Sequence, residues 1–162
     1  MYTDGERSPK VLPAVVGRRD AALVIRTDFG DAAAWRAVRA ELSKPWCDGD
    51  LEPYVHVVDD PAWDGADADA VVAAVRADEE LSVVFLADST TMRDHDRTLL
   101  AVAVLTRDEC GSDEEFEASG GRVRTVAAGI EDIHANLSIA NLDFADVRDA
   151  ARLDPAGVFR SF

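Results

Sequence analysis

Two periodicities alternate along the first half of the chain. Ala21–Thr27 (AALVIRT) is rich in β-formers and follows a stretch containing Pro and Gly, which predicts a first strand. Trp35, Val38 and Leu42 fall at i, i+3 and i+7, the apolar stripe of a helix running to about Ser43. Asp28 and Asp31 are both suited to cap its start. Tyr54–Val58 (YVHVV) predicts a second strand, ended by Asp59-Asp60-Pro61 because Pro61 pushes Asp60 out of helical space. A second helix covers about Asp67 to Ala77, with Ala68, Val71, Val72 and Val75 as its buried stripe. Leu81–Ala87 (LSVVFLA) is a continuous apolar third strand that stops at Asp88.

Strands alternating with helices in this way give the βαβαβ rhythm of a partly parallel sheet. The rhythm then changes. About ten polar residues separate the third strand from Leu99–Leu105 (LLAVAVL), a gap short for a crossover helix, so an antiparallel pairing is expected. Arg122–Ala127 (RVRTVA) alternates polar and apolar residues as a half-buried edge strand should. Ile130, Ile133 and Leu137 form one short helical stripe; Phe144, Val147 and Ala151 form another, with Asn141 suited to cap the second. The expected architecture is an α/β single-domain sandwich with a mixed five-stranded sheet and C-terminal helices.

Length agrees with that reading: 162 residues fit one domain, placed at residues 21–162 behind a flexible tail, residues 1–20. No apolar run reaches the roughly 18 residues of a membrane helix. The first twenty residues also lack the apolar region of a signal peptide, so a cytoplasmic protein without membrane association is expected. Arg107–Gly121, with six acids and three glycines, reads as an exposed mobile loop. Cys47 and Cys110 are isolated and form no CxxC pair, which disfavours a disulfide framework or zinc site.

Charge changes the functional picture more than the fold. The formal net charge is −15, and Asp48–Glu80 alone holds eleven acids against the single base Arg76. Nucleic-acid binding is therefore disfavoured, since phosphates need cationic partners. Lysine occurs only at Lys10 and Lys44 while Arg, Asp, Ala and Val abound, a bias that a GC-rich genome would write by itself. The other readings are a basic protein partner and mimicry of nucleic acid.

Four segments in order carry a resemblance. These are Val24–Phe29 followed by a Trp-containing helix, Val55–Pro61 (VHVVDDP), Asn136–Phe144 (NLSIANLDF) and the terminal Gly157–Arg160 (GVFR). Together they resemble a widespread actinobacterial domain family of unknown function, with NLSIANLDF the most specific piece. The resemblance implies membership over about Ala21 to the C-terminus and no activity. The acidic stretch Asp113–Gly121 is longer than the turn expected at that place in the family.

Candidate chemistry gathers where parallel strands would end. Three parallel strands would place Asp28, Asp59, Asp60 and Asp88 on one rim of the sheet, the usual ligand edge of open α/β folds. These aspartates could cap helices and satisfy loop amides, hold Mg²⁺ or Ca²⁺, or act as general acids and bases. His134, three residues from Glu131, joins Asp28, Asp59 and Asp60 as a catalytic candidate. Asn136, Asn141 and Asp143 could line a polar pocket or tie down turns. Trp63, in an acidic loop, could anchor a partner or cover the core edge. His56 alternates with Val55 and Val57, facing either solvent or a pocket over the sheet, and His95 reads as a loop residue. No GxGxxG, P-loop, GxSxG, HExxH or EF-hand spacing occurs, so no metal ligands and no cofactor are assigned. The functional expectation is a non-catalytic accessory protein that binds a basic protein or a small molecule. The alternatives are a cofactor-independent cyclase, isomerase or hydrolase of specialised metabolism, and a divalent-metal protein.

Overall fold

The computed structural model describes residues 22–44, 55–75, 83–104, 122–138 and 144–160. Within them β1 (Ala22–Arg26) lies between β2 (Val55–Val58) and β3 (Val83–Ala87), all three parallel. Every residue of β1 and β3 is buried, as strands covered on both faces must be. Helix α1 (Ala32–Leu42) starts at Asp31, whose side chain accepts from the Ala34 amide; of the two expected caps it is the one used. Its stripe of Trp35, Val38 and Leu42 packs with Ala22, Val24 and Phe85 on the first face of the sheet. Helix α2 (Ala68–Val75) and a 3-10 turn, Pro61–Trp63, cover the second face, where Leu23, Ile25, Val84 and Leu86 meet Val71 and Trp63. Each strand thus sends alternate side chains into two separate cores.

After β3 the chain reverses as the sequence predicts. A short helix α3 (Ser89–Arg93), not anticipated, turns it into β4 (Leu99–Ala103), antiparallel to β3. The signal was local: Asp88 and Thr91 form a reciprocal capping box, each side chain accepting from the other's backbone amide. Strand β5 (Arg122–Thr125) is antiparallel to β4. It was expected at the edge, but β6 (Val158–Phe159) pairs parallel to its outer side, giving the order β2-β1-β3-β4-β5-β6. The sheet of the described residues therefore has six strands rather than five. Two residues carry too little pattern to read as a strand. What places them is the turn before: the Asp154 carboxylate accepts from the Ala156 and Val158 amides, and Gly157 takes φ +70°, which only glycine adopts freely.

Helices α4 (Ile130–Ser138) and α5 (Phe144–Arg152) follow the two predicted stripes. Ile130, Ile133, Phe144, Val147 and Ala151 complete the first-face core around Leu99, Val123 and Phe159. No helix of the described residues is long and apolar enough to cross a membrane. The N-terminal tail, Cys47, Tyr54, Arg76 to Leu81, the Arg107–Gly121 stretch, Asn141 and Asp143 lie outside the described residues.

Candidate functional site

The parallel arrangement of β1, β2 and β3 brings Asp28, Asp59, Asp60 and Asp88 to one rim of the sheet. What they do there is set by their partners. Arg26, the last residue of β1, shares the face of Val24 and is only 8% exposed. Its Nη1 donates to Asp59 Oδ1 at 3.1 Å and its Nε to the Asp28 carbonyl at 3.0 Å. Trp35 Nε1, from α1, donates to the other Asp59 oxygen at 3.1 Å. The guanidinium carbon lies 4.1 Å from the Phe29 ring centroid and 4.9 Å from that of Trp35. Both Asp59 oxygens are thereby engaged as acceptors, one by the guanidinium and one by the indole.

The remaining carboxylates of this end act on backbone amides. Asp28 accepts from Gly30 N–H at 2.8 Å, Asp60 from Ala62 N–H at 2.9 Å, and Asp67 from Ala70 N–H at 2.8 Å. Asp60 thus caps the 3-10 turn, and Asp67 opens α2. The two loops are fastened together: Phe29 N–H donates to Asp64 Oδ1 at 3.3 Å, and Gly65 N–H to the Thr27 carbonyl at 2.9 Å. Gly65 makes that approach with φ +78°.

Asp88 belongs to a second network. Alternation along β5 turns Arg124 to the second face, opposite Leu100 of β4, and its guanidinium forks onto Asp88 with Nη1···Oδ1 2.9 Å and Nη2···Oδ2 2.5 Å. Nη1 also donates to the Thr98 carbonyl, which the buried Thr91 hydroxyl meets at 2.7 Å. Burial opposes ionisation of Asp88. The Arg124 fork and the Thr91 amide and hydroxyl outweigh it, so the carboxyl titrates below its ordinary value. The neighbouring Asp94 is lowered too, first by its bond from the Thr98 hydroxyl.

His134 is buried on α4, and none of Asp28, Asp59, Asp60 or Asp88 bonds to it. Asn136 Nδ2 donates to the Asp132 carbonyl one turn back at 2.7 Å, a bond within its own helix. Trp63 is fully buried against Ile25, Leu86 and Val71. Its indole lies in the second-face core with none of its surface exposed, which fits the core-edge reading of the two that its sequence position offered. Among the described residues no three His, Cys, Asp or Glu side chains gather as a metal-holding group. Arg26, Trp35, Arg124, Thr91 and Thr98 were missed as site residues. Arg26 left a signal, a cation ending an otherwise apolar strand; Arg124 left only its place in an alternating strand.

The fold and this rim define an acidic α/β domain whose strand-end carboxylates are bonded to arginines, an indole and helix-start amides. The chain belongs to the family described as a domain of unknown function, DUF6924, whose model matches residues 21–162. No curated protein matches it.

Proposed function

We propose that this domain is a non-catalytic binding module whose acidic rim receives a cationic protein partner. The observation that carries the reading is the joining of two loops, residues 27–31 and 59–67, that hold six aspartates and no Lys or Arg. Asp31, Asp59, Asp60, Asp64 and Asp67 are exposed, whereas the neighbouring cation, Arg26, is buried. Carboxylates on adjoining loops add their fields before salt screens them, over about 8 Å at physiological ionic strength. Such a surface steers a positively charged partner and selects against acidic ones. Acid–base catalysis is less well supported, because Asp28, Asp59, Asp60 and Asp88 already serve as acceptors within the fold.

The test separates charge from structure. Asn caps helices about as well as Asp, so the variant D31N/D60N/D67N removes three charges while keeping an acceptor at each amide. Fluorescence anisotropy with a labelled octa-arginine peptide should show saturable binding that weakens at least about tenfold between 50 and 300 mM NaCl. The triple variant should melt like the wild type and bind at least about fivefold more weakly. Binding indifferent to salt, or unchanged in the triple variant, overturns the reading.

A further inference from the structure

The geometry points to a guanidinium-binding cage at the end of β1, which the chain fills with its own Arg26. An ordinary surface ion pair needs only a carboxylate. Here four groups from three segments meet one planar cation: the Asp59 carboxylate after β2, the Asp28 carbonyl, the Phe29 ring in the β1–α1 loop and the Trp35 ring of α1. The set matches a guanidinium in particular. Two distinct N–H groups, Nη1 and Nε, are bonded to separate acceptors, and the guanidinium carbon sits over two aromatic rings, where a compact ammonium would forfeit the planar contact. Trp35 serves twice, since its N–H also orients the carboxylate that holds the cation.

The cage lies at the rim. Asp59 is 43% exposed on its side chain, while that of Arg26 is 10% exposed, so the receptor groups border solvent and their occupant is enclosed. The class of ligand is therefore a monoalkylguanidinium: the Arg26 side chain in the wild type and, once it is removed, a small alkylguanidinium from solution. This inference does not depend on the partner-binding reading, because it concerns the occupant of a site inside the rim.

Chemical rescue tests it. R26A should melt below the wild type and regain stability saturably with N-ethylguanidinium at millimolar concentration, a rise of roughly 3 °C or more. Ethylammonium at equal ionic strength should give no comparable rise, R26K should not restore the wild-type melting temperature, and R26A/D59N should lose the rescue. The wild type, its cage filled, should show no rise. Equal effects of the two cations, or equal effects on wild type and R26A, overturn the inference. If R26A does not fold, the wild type still decides: ¹⁵N spectra should show an Arg26 guanidinium with ring-current-shifted Nε–H and hindered Nη rotation. A freely averaging signal there would overturn it as well.

Discussion

Replacing Asp88 by Asn isolates one charge in the network that joins β3, α3, β4 and β5. Asn keeps an oxygen for the Thr91 amide, so the cap survives. What is lost is the ionised half of the Arg124 fork, whose side chains are 24% and 23% exposed. Breaking a fully buried pair costs about 3–5 kcal/mol and an exposed one about 0–1. At this burial, with Arg124 retaining the Thr98 carbonyl, a loss of about 1.5–3 kcal/mol is expected. For a domain of this size that corresponds to a melting temperature lower by roughly 3–10 °C. The pH dependence has a definite sign. The folded Asp88 carboxyl titrates below its unfolded value, so its contribution is fully present above about pH 4 and is lost as pH falls through the folded value. Urea unfolding followed by circular dichroism, for wild type and D88N at pH 7, 5, 4 and 3, should show a gap that is constant down to pH 5 and then narrows. The lowered carboxyl of Asp154, set by Arg160 outside this network, is present in both proteins and cancels in the difference. A gap that stays the same at pH 3, or is below about 0.5 kcal/mol at pH 7, would mean that the Asp88 charge does not stabilise this network.

Substitutions at two other positions probe the cores. At Gly129 an added Cβ would stand 2.4 Å from Thr125 Oγ1 and 2.9 Å from the Phe159 ring. G129A should thus destabilise by about 1–3 kcal/mol; a neutral or raised urea midpoint would contradict the close packing of the 3-10 turn Ala127–Gly129 on β5 and β6. Trp63 Nε1 is buried without a hydrogen-bond partner among the described residues, an arrangement that costs about 1–3 kcal/mol. W63F sheds that N–H along with part of the ring and should stay within about 1 kcal/mol of wild type, while W63A should cost about 3–5. A W63F loss above about 2 kcal/mol would contradict an unpaired indole N–H.

Much of the architecture was legible because burial writes itself into periodicity. Ala22–Arg26 and Val83–Ala87 read as strands and Trp35, Val38 and Leu42 as a helix stripe, since each element buries enough side chains to leave a pattern. Helix α3 and strand β6 left little pattern. Five and two residues bury too few groups, and their positions come from the Asp88–Thr91 box and the Asp154 turn. The site divided in the same way. That acids would gather at the ends of β1, β2 and β3 followed from strand direction, whereas their partners did not. Arg124 lies 36 residues from Asp88, and Asp59 lies 33 from Arg26.

The amino-acid order by itself determined the elements, their two-faced burial and a surplus of carboxylates at the turns after the strands. Those properties depend on neighbours a few residues apart, where backbone geometry dictates which side chains share a face. The tertiary structure alone decided that β6 lies outside β5, that Trp63 belongs to the core, and that each rim aspartate faces an arginine, an indole or an amide. Such pairings join segments distant in sequence, and the charge a carboxylate carries to its work depends on what the folded chain sets against it.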